Sequence, residues 1–220
     1  TGSGKTVPAI FSIADSLKKN KKIIYTSPIK SLSNQKLFEL KQIFPDVGIL
    51  TGDIKYNPDA QCVIMTTEIL RNILYQKESQ HINISEVDKV IFDEVHYIND
   101  QDRGTVWEEC FMLMPACVQL LMLSATIDKP EKFADWIEKI HKESSKQVFL
   151  STTNIRFVPL EHYLWLWANA GIIKKIKDKE FKEQFNKNKN KLHLIKAQNK
   201  PFEELTYHKV NKYITYIKKN

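Results

Sequence analysis

Six short apolar runs constrain this chain more than any other feature. They are KIIYTS (22–27), VGIL (47–50), CVIMT (62–66), KVIFDE (89–94), LLMLSAT (120–126) and QVFLS (147–151). Each is continuous rather than alternating, the pattern of strands buried on both faces. Stretches of helical period separate them: 7–19, with Val7, Ile10, Phe11, Ala14 and Leu17 on one stripe; 31–44, through Leu32, Leu37, Leu40, Ile43 and Phe44; 67–76; and helices near 105–114 and 130–141. Strands alternating with helices predict a doubly wound, mainly parallel α/β sheet. Ligands of such a sheet bind beyond the carboxyl ends of its strands. Hydrophobic residues make up 42% of 220, enough for a real core. No apolar run approaches the roughly 18 residues of a membrane span, so no membrane partner is expected.

The alternation stops after about residue 152. VPLEHYLWLW (158–167) reads as strand, with Tyr163, Trp165 and Trp167 on one face, suited to core or interlobe packing more than to base stacking. FKEQFNKNKNK (181–191) reads as an exposed loop or short helix. Residues 202–217 put Phe202, Leu205, Val210, Tyr213, Ile214 and Ile217 on a helical stripe. From Ile172 onward 14 lysines face 5 acidic residues, a net +9, which leaves residues 1–171 at −2. A basic tail on a near-neutral body suits a polyanion, and equally a solvated linker. Cys62, Cys110 and Cys117 are odd in number and lack CxxC spacing. They predict neither a disulfide framework nor a zinc site, and an intracellular compartment, nucleus or cytoplasm undetermined.

Three polar motifs fall at strand or helix ends. TGSGKT (Thr1, Gly2, Ser3, Gly4, Lys5, Thr6) matches the second half of the phosphate-binding loop GxxxxGK[ST]. Its glycines let backbone N–H groups wrap a phosphate, and the helix beyond points its positive end at the same anion. Lys5 would reach the β- and γ-phosphates of ATP, and the Thr6 hydroxyl would bind Mg²⁺. The motif's opening residue and its preceding strand are expected before residue 1. In VIFDEVH (90–96) a strand ends in two carboxylates. There Asp93 would hold Mg²⁺, and Glu94 would act as general base toward the attacking water. LSAT (123–126) would set the hydroxyls of Ser124 and Thr126 beside those carboxylates.

In this order TGSGKT, DEVH and SAT resemble the first RecA-like lobe of a superfamily-two DExH-box helicase. YTSPIKSLSNQK (25–36), LTGD (50–53), IMTTEILRNILY (64–75), VIFDEVHYINDQDRGTVWEE (90–109), FADWI (133–137) and VPLEHYLW (158–165) resemble its Ski-like group of RNA helicases, which feed RNA to the exosome. The resemblance reaches to about residue 190. It implies that Ser27, Pro28 and Lys30 grip a nucleic-acid backbone, as do Thr51, Gly52 and Asp53, and Thr66, Thr67 and Glu68. Thr66 and Thr67 would also suit helix capping, and the two roles are compatible. His96 would couple the ATP site to the second lobe. Where the family pattern has proline, Phe157 stands, so the resemblance does not fix the linker's course there.

The implied organisation is a first ATP-binding lobe over 1–152, an interlobe linker over 153–197 and the start of a second lobe over 198–220. The implied function is an ATP-dependent RNA helicase motor, with ATP and Mg²⁺ as cofactors. Its partners would be single-stranded or tailed RNA, an exosome-like or RNA-processing complex, and the second lobe that carries an arginine finger. A DNA helicase of the same superfamily and a non-catalytic nucleic-acid-binding module are the alternatives. Intact Lys5, Thr6, Asp93 and Glu94 count against the latter.

Overall fold

The computed structural model describes residues 4–76, 82–142, 147–153, 158–197 and 200–219. They separate into two compact units, one ending at Thr152 and one opening at Thr153. The first runs α1 (Thr6–Lys18), β1 (Lys22–Ser27), α2 (Lys30–Lys41), β2 (Val47–Leu50), β3 (Lys55–Tyr56), β4 (Cys62–Thr66), α3 (Thr67–Gln76), β5 (Val87–Phe92), α4 (Gly104–Leu113), β6 (Gln119–Met122) and α5 (Pro130–Ile140), with a 3₁₀ segment at Val95–Asn99. The strands form one sheet in the order β3-β2-β4-β1-β5-β6. Every pairing is parallel except β2 with β3.

The continuous apolar runs are explained by the side chains they send to opposite faces. Ile24, Val63, Met65, Val90 and Phe92 join Leu70 and Ile73 of α3, Trp107 and Phe111 of α4, and Ile137 of α5. Their neighbours Ile23, Tyr25, Cys62, Ile64 and Ile91 join Ala9 and Ile13 of α1 and Leu40 of α2. The sheet is thus covered on both sides, as its composition requires. Gly48 in β2 lets the chain of the β3 hairpin pass close by: a Cβ there would lie 1.8 Å from the Asn57 carbonyl oxygen.

Three expectations are corrected. The buried face of α1 is Ala9, Ile13 and Ser16, whereas Val7 and Phe11, expected on the packed stripe, are 65% and 73% exposed. Small Ala9 and Ser16 let the helix lie close to the sheet, and Ser16 Oγ donates to Asp88 Oδ2 at 2.8 Å. α2 ends at Lys41, short of the helix expected to residue 44; its buried residues are Ser33 and Leu40, and beyond it Phe44 turns inward while Ile43 is exposed. The run QVFLS forms no strand. Residues 147–151 carry no regular structure and Phe149 is exposed, because a β-run becomes a strand only beside a pairing neighbour.

The second unit comprises β7 (His162–Trp165), α6 (Ala170–Lys175), α7 (Lys179–Asn188), β8 (Leu192–Lys196) and α8 (Glu204–Lys219). β7 and β8 pair antiparallel. The polar stretch 181–191 is mostly helical: Asp178 caps α7 by accepting the Phe181 N–H at 3.1 Å, and Phe185 is fully buried. Of the stripe expected on 202–217, Val210 and Tyr213 are buried beside Phe185, with Ile214 and Ile217 packed against them, while Leu205 is exposed. Tyr163, Trp165 and Trp167 are exposed rather than in the core, and Leu166 takes the inward position. No helix among the described residues is long and apolar enough to cross a membrane.

Candidate active site

Parallel pairing brings the ends of β4, β1, β5 and β6 to one rim. Ser27 stands beside Thr66, Thr26 beside Phe92, and Phe92 beside Met122. Segments as far apart in sequence as 27–30, 66–68, 93–96 and 123–126 therefore share one edge of the sheet.

Of the phosphate-binding loop, Thr1, Gly2 and Ser3 lie outside the described residues. Gly4 has φ +75°, a conformation that favours glycine, and its carbonyl accepts the Val7 N–H at 2.9 Å. Lys5 occupies the N-cap position of α1 and Thr6 opens the helix. The Lys5 ammonium crosses to the acidic strand end, with Nζ 3.3 Å from Glu94 Oε1 and 3.5 Å from Oε2.

The two carboxylates have different surroundings. Asp93 is held on three sides. Its N–H donates to the Thr26 carbonyl at 3.0 Å, its Oδ1 accepts the Glu94 N–H at 2.9 Å, and its Oδ2 accepts the Tyr25 hydroxyl at 2.6 Å. Burial of the Tyr25 ring, then the adjacent Asp93 charge, pushes the phenol's pKa far up, so Tyr25 stays protonated and donates. Glu94 adopts φ 53°, ψ 48°, a left-handed conformation costly for a non-glycine residue. Two backbone bonds clamp it: Val95 N–H to Leu123 O at 2.9 Å and Leu123 N–H to Phe92 O at 2.8 Å. His96 Nδ1 lies 3.3 Å from Glu94 Oε2 and 3.4 Å from Ser124 Oγ. Ser124 in turn donates to the Thr126 carbonyl at 3.2 Å. Ser124 thus reaches Glu94 through His96 rather than directly, and Thr126 contributes a carbonyl rather than a hydroxyl to this chain.

The nine residues expected to grip nucleic acid divide by exposure. Ser27, Pro28, Thr51, Thr66 and Thr67 are buried. Ser27 Oγ shares a 2.6 Å hydrogen bond with Ser33 Oγ, Thr51 Oγ accepts the Ile54 N–H at 3.1 Å, and Thr67 Oγ donates to the Ser27 carbonyl at 3.5 Å. These hydroxyls shape the rim from within. Lys30, Gly52 and Asp53 are exposed, and Lys30 Nζ hydrogen-bonds Asp53. Glu68 is paired with Arg103.

Tyr25 and Arg103 are the functional side chains that sequence reasoning missed. A lone tyrosine in an aliphatic strand signals a buried hydroxyl that needs a partner, but nothing local to KIIYTS identifies that partner as Asp93.

The residues present fit a magnesium nucleotide. Asp93 and the Thr6 hydroxyl are oxygen donors of the kind such an ion would take alongside phosphate, and Lys5 lies against the Glu94 carboxylate at the same edge. Among the described residues no three His, Cys, Asp or Glu side chains cluster as a self-contained metal site.

A DEAD/DEAH box helicase family profile matches residues 1–154. The chain is 49% identical over 172 residues to the ATP-dependent RNA helicase mtr4 of Schizosaccharomyces pombe, covering 78% of this chain and 15% of that protein. It is 49% identical over 165 residues to the human superkiller complex protein 2, covering 75% and 13%. It is 46% identical over 205 residues to the antiviral helicase SKI2 of Saccharomyces cerevisiae, covering 91% and 15%. The chain therefore spans about a seventh of the length of these curated relatives.

Proposed function

Because this chain belongs to the DEAD/DEAH box helicase family, we propose that it is the first motor lobe of an ATP-dependent RNA helicase of the Ski-like group, acting in RNA processing or decay. The lobe is residues 1–152, with an interlobe linker over 153–197 and the start of a second lobe over 198–220. One observation carries the reading: Lys5 and Glu94, 89 positions apart, meet at 3.3 Å beside Asp93 at the strand ends. The names of the relatives support ATP and RNA as ligands. The expected setting is intracellular, with an exosome-like complex as partner.

The chemistry follows from the side chains. An incoming triphosphate competes with Glu94 for the Lys5 ammonium. Once Lys5 faces the β- and γ-phosphates, Glu94 is released to orient a water and take its proton. Asp93, fixed by Tyr25, and the Thr6 hydroxyl would hold Mg²⁺, which when bound would offset charge on the phosphoryl oxygens. The left-handed turn at Glu94 keeps the two carboxylates in separate roles, one for the ion and one for the water. His96, between Glu94 and Ser124, relays the state of this edge toward the second lobe.

In the intact protein, Glu94→Gln should lower RNA-stimulated ATP turnover by about 10² to 10⁴ while ATP binding is retained. Turnover near that of wild type would remove Glu94 from the role and sink the reading.

A further inference from the structure

Arg103 has no role assigned by the motif that contains it, yet it joins two others, those of Pro28 and Glu68. Its Nε donates to Glu68 Oε1 at 3.1 Å. Its Nη2 donates both to the same oxygen and to the Pro28 carbonyl. Glu68 is in the first turn of α3, directly beyond β4, and Pro28 follows β1. One guanidinium therefore spans two adjacent segments of the rim and neutralises the one carboxylate that α3 presents in its first turn.

The backbone behind Arg103 is tightly held. Asp100 Oδ1 accepts the N–H groups of Asp102 and Arg103 at 3.1 and 3.0 Å. The Asp100 carbonyl accepts the Gly104 N–H at 2.9 Å. A Cβ on Gly104 would lie 2.2 Å from the Ile98 carbonyl oxygen, so only glycine lets α4 start this close to the 3₁₀ segment that follows Glu94. The forked guanidinium bonds the Glu68 carboxylate and the Pro28 carbonyl at once, a geometry that a lysine ammonium does not reproduce.

We propose that Arg103 is a positioning residue for the nucleic-acid strand: it holds the Pro28 carbonyl in place and cancels the charge of Glu68, so that the rim beyond β1 and β4 offers no bare carboxylate to a phosphate backbone. The proposal rests on the proposed function in taking the strand to be RNA. Without Arg103, the half-buried Glu68 would face that strand as an uncompensated like charge, which opposes association.

The test compares Arg103→Gln, Glu68→Gln and the double variant in the intact protein. Affinity for a fluorescein-labelled oligouridylate is read by anisotropy without nucleotide, and melting temperature and RNA-free ATP turnover are read alongside. Arg103→Gln should weaken RNA binding about tenfold. Glu68→Gln alone should tighten it, because the guanidinium charge is then left facing the strand; weaker binding would keep Glu68 among the residues that grip the strand and overturn the proposal. The double variant should recover most of the loss, because the carboxylate that repels the strand is gone, while all three variants keep the wild-type melting temperature; a purely structural role for Arg103 would lower the melting temperature of Arg103→Gln and restore it together with the affinity. Unchanged affinity in Arg103→Gln, or a double variant as weak as the single, overturns the proposal. A wild type that binds the strand but hydrolyses no ATP refutes the helicase reading instead, and the affinity comparison still decides on Arg103.

Discussion

Replacing Tyr25 by phenylalanine isolates one hydrogen bond with little change in packing. The ring is 1% exposed and sits among Ile23, Ile64 and Ile91, so a phenylalanine of the same shape keeps those contacts. What is lost is the 2.6 Å bond to Asp93 Oδ2, within the short range of charge-assisted O–H···O⁻ bonds. A bond of this kind contributes about 1.5–3 kcal/mol. Removing a hydrogen-bond partner of a metal ligand typically changes metal affinity by about 10- to 100-fold, or about 1.4–2.7 kcal/mol, so two independent scales agree. Asp93 would keep its backbone bonds to Thr26 and Glu94 but lose the contact that fixes its outer oxygen. The Mg²⁺ concentration for half-maximal ATPase should therefore rise at least about tenfold. Binding of Mn²⁺ by electron paramagnetic resonance, in the presence of a non-hydrolysable nucleotide, should weaken in parallel. If both midpoints stay close to wild type while the variant is folded, Tyr25 does not orient the metal-binding carboxylate, and the reasoning fails.

Lys5→Ala should weaken nucleotide binding itself, since it deletes the ammonium facing the phosphates; undiminished retention of labelled ATP would show that another group performs that task. Asp15 accepts from Lys19 at 2.7 Å and is also paired with Lys89, and these contacts hold its pKa down at about 2. Because the folded value lies below the ordinary aspartate value of about 3.9, the stabilisation is present above about pH 4 and is lost as pH falls toward 2. The melting-temperature gap between wild type and Asp15→Asn should accordingly be open near neutrality and close through that window; a gap independent of pH would contradict the assignment. Gly48→Ala drives a Cβ into the Asn57 carbonyl and should cost about 1–3 kcal/mol in urea denaturation, the range of overpacked sites, with an unchanged midpoint as the contrary result.

The class of fold was already determined by the runs from KIIYTS to LLMLSAT, because an apolar residue at every position satisfies only a strand covered on both faces. The chemistry of the edge was legible for a related reason. A strand ends where its apolar run ends and parallel neighbours end on the same side, so DEVH and SAT had to fall at one rim, and Lys5 reaches that rim through Glu94. Tertiary structure decided what periodicity does not encode. On α1 the local pattern offered a stripe through Val7 and Phe11, but close approach to the sheet selected Ala9, Ile13 and Ser16. The strand order put β1 beside β5, and only that neighbourhood brings the Tyr25 hydroxyl to Asp93, 68 positions away. The same applies to Arg103, whose partners Pro28 and Glu68 lie 75 and 35 positions upstream. The hydroxyls of Ser27, Thr51 and Thr67 turned inward because each found a partner within the fold, as buried polar groups must. Sequence spacing reports the local period of a chain, whereas these pairings depend on which strands become neighbours, a choice made by the packing of the whole sheet.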